Sequence, residues 1–234
     1  MSYVCIVIGV IFFVFVLAGW IQGLFKVVVS IAGMVIGLLV ATFVAPQVSG
    51  YLQANTTMDE SIAAYIKEEF QFQDSNEELS KGIQVGIINE LDLPEYLKNT
   101  ILDCNNSEMY EALQVENVYD YIAKTIAVIV LNAIVFLVLA FACGIFCFFF
   151  GQGIMEMGKL PIVRGIDKIG GGVLGVVKGI IFIWIFFLVL SFATTTSWGS
   201  EIINQISQSA ALKWLYDNNI LLNIVGDITK ILFT

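Results

Sequence analysis

Four long stretches of this chain contain no Asp, Glu, Lys or Arg: residues 1–25, 27–58, 125–155 and 179–200. No other feature constrains the fold as strongly. A helix needs about 20 consecutive apolar residues to cross a hydrocarbon core, and each stretch supplies them. The chain therefore reads as an all-α integral membrane protein with four transmembrane helices, near 3–19, 25–45, 122–150 and 172–193. Composition agrees, with 58% hydrophobic residues. Only 13% are charged, against about 25% in an average soluble domain. The first stretch lacks the basic leader and small-residue cleavage site of a secretory signal, so it reads as a retained helix.

Trp20-Ile21-Gln22-Gly23 turns the first helix back into the second, and residues 151–171 turn the third into the fourth. The expected organisation is a first transmembrane hairpin (1–48), an acidic helical insertion (49–121), a second hairpin (122–194) and an amphipathic helical tail (195–234). Lys26, Lys159, Arg164, Lys168 and Lys178 gather near the two hairpin turns. Residues 51–124 carry fifteen acidic and four basic side chains, a balance of −11, whereas the rest of the chain sums to +2. Basic residues beside span ends favour the cytoplasm. On that rule both turns are cytoplasmic, and the termini, insertion and tail lie outside.

Periodicity gives the insertion helices rather than disorder. Thr57-Met58-Asp59-Glu60 fits a capping box, followed by Ile62, Tyr65, Ile66 and Phe70 at helical spacing. Asp74-Ser75-Asn76-Glu77 offers a second start before Leu79, Ile83, Ile87 and Leu91. Asn105-Asn106-Ser107-Glu108 offers a third, with Tyr110, Leu113, Asn117 and Tyr121 leading into the third span. In the tail, Ile202, Ile203, Ile206, Ala210 and Trp214 form one apolar stripe. Ile220, Ile224, Ile228, Ile231 and Leu232 form another. With Trp198 and Trp214 they suit helices lying at the outer membrane–water boundary.

The stretch Ile169-Gly170-Gly171-Gly172-Val173-Leu174-Gly175 meets the glycine spacing of a dinucleotide-binding turn. Such a turn needs a strand before it, a soluble helix after it and an acid about 20 residues on. Here a membrane span follows, and the next acid is Glu201 beyond it. The informative register is instead Gly171, Gly175 and Gly179, every fourth residue, which leaves one helix face without side chains. Gly33 and Gly37 do the same on the second helix, and close approach through small residues packs membrane helices. Helices two and four are expected to cross through these glycines.

Three polar side chains stand out near or within the spans. Asp167 is placed to cap the start of the fourth helix. Lys178 is placed to snorkel to the cytoplasmic headgroups. Asn132, deep in the third helix, is expected to hydrogen-bond a neighbouring helix, with a polar pathway as the alternative. Histidine is absent. That removes the commonest general base and the commonest transition-metal ligand, and the chain is expected to hold no catalytic, metal or cofactor site and to bind no nucleic acid. Cys143 and Cys147 share a helix face among phenylalanines and read as small packing residues.

Ile21-Gln22-Gly23-Leu24-Phe25-Lys26, with Ser30 and Ala41, resembles the first hairpin of the CvpA family, the colicin V production proteins. Leu160-Pro161, Asp167-Lys168, Gly171, Gly175, Lys178 and Gly179 resemble its second signature. The tail around Leu215-Tyr216-Asp217-Asn218-Asn219 is similar to its Gram-positive members. The resemblance implies a bacterial inner-membrane protein tied to colicin V production or export and to envelope homeostasis. It implies no transferable activity, and nothing is carried over to the insertion. The expected partners are the lipid bilayer, further copies of the chain, and an envelope protein or lipid met by the external helices. A non-enzymatic scaffold is the first functional expectation, and an oligomeric transporter or channel for a small or amphipathic substrate is the second.

Overall fold

The computed structural model of the protein describes residues 3–72, 80–91, 93–157 and 164–231, and every regular element among them is helical. Four helices are long and apolar enough to cross a membrane: α1 (Tyr3–Gln22), α2 (Leu24–Asn55), α7 (Val118–Met157) and α8 (Arg164–Phe192). Between α2 and α7 lie α3 (Met58–Glu69), α4 (Lys81–Glu90), α5 (Glu95–Asp103) and α6 (Ser107–Ala112). After α8 come α9 (Ser197–Ser207), α10 (Ala210–Asp217) and α11 (Ile220–Ile231).

The long helices outrun the charge-free stretches. Helix α2 continues through Pro46 to Asn55, so its 32 residues rise about 48 Å. Its proline lacks an N–H and leaves one carbonyl of the preceding turn without its helical donor. At 40 residues, α7 rises about 60 Å, twice a hydrocarbon core of about 30 Å. Helix α8 starts at Arg164 rather than near Gly172, which puts Asp167 and all three spaced glycines inside it.

Helices adjacent in sequence are not the ones that pack. Helix α1 lies along α8 and α2 lies along α7, whereas α1 and α2 touch little beyond their shared turn. Contacts of Phe12 with Gly179 and of Gly19 with Gly171 make α1 and α8 antiparallel. Leu24 beside Gly170 and Ser30 beside Lys178 make α2 and α8 parallel. So α8 is wedged between the two arms of the first hairpin, and α2 separates it from α7. The expected crossing of helices two and four through Gly171, Gly175 and Gly179 is corrected accordingly: those glycines face helix one.

The insertion packs onto the start of α7. Ile66, Ile88, Leu97, Ile101 and Met109 are buried with Ile122 and Ile126 of α7. Tyr121 Oη donates to the Ile101 carbonyl at 2.6 Å and stacks on Tyr110, while Lys67 pairs with Asp120. The stripe read through Ile83 is turned: Ile83 is exposed and Ile88 is the buried residue. Thr57 precedes α3 without a side-chain cap, whereas Asn106 caps α6 through the Met109 N–H. That helix does not run on into the third span. It stops at Ala112, Gln114 takes a positive φ of 53°, and Asn117 caps α7 afresh through the Asp120 N–H. The start read at Asp74 lies outside the described residues.

The tail is folded into the bundle. Leu221, Leu222, Val225, Ile228 and Thr229 of α11 are buried against α2, α7 and α8, while Ile220 of the expected stripe is exposed. Ile206 and Leu212 close over Val4, Ile8 and Phe187 at the end of α1 and α8. Trp198 and Trp214 are both exposed.

Candidate functional site

The residues singled out in the two hairpin signatures meet at one junction. Helix α1 ends at Gln22 and α2 begins at Leu24, so Gly23 alone makes the break, at φ 85° and ψ 162°. The first N–H groups of α2 then have no helical partner. One is satisfied across the chain: Leu24 N–H donates to Asp167 Oδ1 at 2.8 Å. Asp167 lies inside α8, so the expectation that it caps its own helix is corrected. It caps α2, where the positive end of the helix dipole favours a carboxylate. A Cβ on Gly23 would strike that carboxylate.

Below the cap, backbones approach each other directly. A Cβ on Gly171 would run into the Gly19 carbonyl oxygen and lie 3.0 Å from Gly23 Cα. One on Gly175 would sit 2.6 Å from the Phe15 carbonyl oxygen and 3.1 Å from Val16 Cα. One on Gly179 would lie 3.1 Å from the Phe12 ring. Gly170, Gly171 and Gly175 therefore belong to a continuous helix, not to a phosphate-binding turn. Lys178 of α8 is half-buried against α2, and its Nζ donates to Ser30 Oγ at 2.8 Å. Lys26 is exposed and takes no part.

Gly33 and Gly37 serve a different contact. Their added Cβ atoms would lie 3.0 Å from Cys147 Cβ and 3.1 Å from the Ala140 carbonyl oxygen of α7. The stripe continues at the same spacing through Ala41, Ala45 and Ser49, all fully buried. At its end Asn132 is also fully buried. It accepts a hydrogen bond from Ser49 Oγ and donates from Nδ2 to Thr229 Oγ1 at 2.9 Å. Gln53 Nε2 adds a bond to Ser49 Oγ at 3.1 Å. This network ties α2, α7 and α11 together. Reading the sequence missed Gly19, Ser49 and Thr229. The step of four from Gly33 to Ser49 was a usable signal for Ser49, but nothing local marks Thr229, 97 residues from its partner.

No curated protein and no solved structure matches this chain. The sequence profile of the colicin V production protein family matches residues 4–72 and 113–219. Those segments hold the whole Gly23–Asp167 junction, both small-residue stripes and Asn132. Helices α4 to α6 fall between them, and α11 lies beyond. With most of the chain and all four spans covered by the match, the chain belongs to the colicin V production protein family.

Proposed function

We propose that this protein is a non-enzymatic scaffold or assembly factor of the bacterial inner membrane, serving colicin V or toxin production or export and cell-envelope homeostasis. The observation that carries this reading is how the polar groups of the spans are used. Asp167 holds the α2 N–H, Lys178 holds Ser30, and Asn132 joins Ser49 to Thr229. Each is engaged by another helix of the same chain, which stabilises a shape rather than arming a reaction. The family description supplies the process. The basic residues near the hairpin turns orient both turns to the cytoplasm. The acidic insertion, the tail and both termini then face outward, where an envelope protein or lipid meets them.

Photo-crosslinking in cells from Glu111 of α6 and Trp198 of α9, both exposed, tests the reading. The same partner captured from both positions is expected. A strictly monomeric protein that captures neither protein nor lipid would sink it. A second reading, an oligomeric transporter or channel, draws on the apolar side chains exposed along α1, α2, α7 and α8, against which further copies can pack. Flux into proteoliposomes that is lost in Asn132→Leu or Asp167→Ala would move the assignment to transport.

A further inference from the structure

Lys178 stands deep within the spans without a counter-charge. Helix α1 has 20 residues and rises about 30 Å, the thickness of a hydrocarbon core, so it serves as a ruler for its neighbours. Gly171 faces Gly19 and Gly179 faces Phe12, which sets the Lys178 Cα level with the middle of α1. Its Nζ leans back toward the Gly23 turn and meets Ser30 Oγ, about 10 Å along α2 from that turn. Among the described residues that hydroxyl is its only hydrogen-bond partner, and no carboxylate pairs with it. The nearest acid on α8 is Asp167, about 16 Å along the helix and already engaged in capping α2. The other three spans hold no acid over residues 1–25, 27–58 and 125–155. An ammonium whose sole partner is a neutral oxygen is strongly disfavoured in hydrocarbon, and an anion beside it relieves most of that penalty.

The packing leaves a place for that anion. Helix α8 meets α1 through Gly171, Gly175 and Gly179, and α2 through Asp167 and Gly170. At 3.6 residues per turn those two faces lie roughly 100° apart around α8, and Lys178 falls between them. Helices α1 and α2 touch little beyond their turn, and α7 makes almost no contact with α1 or α8, so the notch between the arms of the hairpin is unfilled. Phe182, one turn beyond Lys178, is 42% exposed although its ring lies against Phe15. Two helices packed about 8–10 Å from α8 at that angle stand roughly 12–15 Å from each other. One more helix seated opposite α8 then touches both.

Depth separates the sources of an anion. Lipid phosphates lie outside the hydrocarbon, so one would have to sink more than about 10 Å to reach this ammonium. A transmembrane helix carries a side-chain carboxylate at any depth. A second copy of this chain brings no acid to that level. We infer that the notch between α1 and α2 receives a transmembrane helix of a partner protein, whose Asp or Glu pairs with Lys178. The inference adds a contact inside the bilayer to the scaffold reading and rests on it for the existence of a protein partner. Crosslinking from the external helices tests that reading separately, so a negative result below leaves it standing.

The test uses the full chain in phosphatidylcholine vesicles, with binding of a leucine-rich transmembrane peptide read by energy transfer. The peptide carries a single Glu about 10 Å from one end of its apolar segment, matching the depth of the ammonium. It is expected to bind about tenfold tighter than its Gln counterpart. Lys178→Met is expected to abolish that preference, whereas Ser30→Ala, which keeps the amine, retains it. Should Lys178→Met fail to insert, a peptide with its Glu moved to the end of the apolar segment decides in its place, and there the preference is expected to vanish. Equal binding of the Glu and Gln peptides overturns the proposal. So does a Glu preference that survives in Lys178→Met or at the displaced position. A preference that equimolar phosphatidylglycerol removes assigns Lys178 to lipid phosphate and overturns it as well.

Discussion

Gly23 meets two demands at once, a positive φ and room for the Asp167 carboxylate. Gly23→Ala is therefore expected to lower stability by about 1–3 kcal/mol, read from unfolding in detergent. Gly9→Ala is the control: nothing lies within 4 Å of a Cβ there, and a change within about 0.5 kcal/mol is expected. Asn132 makes a different kind of contribution. In Asn132→Leu the Ser49 hydroxyl loses its acceptor while still buried, at a cost of about 1–3 kcal/mol. Adding Ser49→Ala to that variant is expected to recover part of the loss, because the buried hydroxyl is gone and the Gln53 amide it also frees is only part-buried. An additive double variant would show that the two side chains are not coupled. Tyr216 gives the tail a pH dependence. Burial, opposed by its Ser191 hydrogen bond and aided by Asp217, pushes its pKa up to about 12. The folded form thus favours the neutral phenol, and its contribution is complete below the unfolded value of about 10. It declines as pH rises from about 10 through about 12, so this group is expected to lower the stability read from unfolding in detergent across that window and not below it.

At the level of helices, the spans were legible because hydropathy is local: twenty apolar residues in a row need no partner to be recognised. Partner choice was not legible. In lipid, a groove of glycines accepts any helix that brings a complementary backbone, and the spacing of Gly171, Gly175 and Gly179 says nothing about whether α1 or α2 supplies it. The partner was decided at Gly19, which with Gly9 ten residues away is too sparse to announce a stripe. The register of α11 was hidden for a related reason. Leu221, Leu222, Val225 and Ile228 form the buried face only because α2, α7 and α8 leave a place for it. The pairing of α2 with α7 has a covalent test. A Cβ on Gly33 lies 3.0 Å from Cys147 Cβ, near the separation a disulfide needs after a small adjustment. Gly33→Cys is expected to cross-link to Cys147 under mild oxidation, so that cleavage within the insertion leaves the two halves joined. Two separate fragments without reductant would refute the pairing.

For the whole molecule, the family profile and the architecture divide the chain differently. The profile spans the four long helices but passes over α4 to α6 and stops before α11, which reaches back to Asn132. The matched part holds the interlocked set of spans together with α3; α4 to α6 and the last helix lie outside it. The interlock itself has a consequence in time. Helix α8 sits between α1 and α2, and its Asp167 is 143 residues later in the chain than the Leu24 amide it caps. At a synthesis rate of about 5–20 residues per second, the first pair of helices waits roughly seven to thirty seconds for the wedge that completes it. During that interval the face of α1 formed by Phe12, Phe15 and Gly19 and the uncapped start of α2 stand unclaimed in the bilayer. The cell must shelter a half-made junction, and a premature partner there would compete with the chain's own later segment.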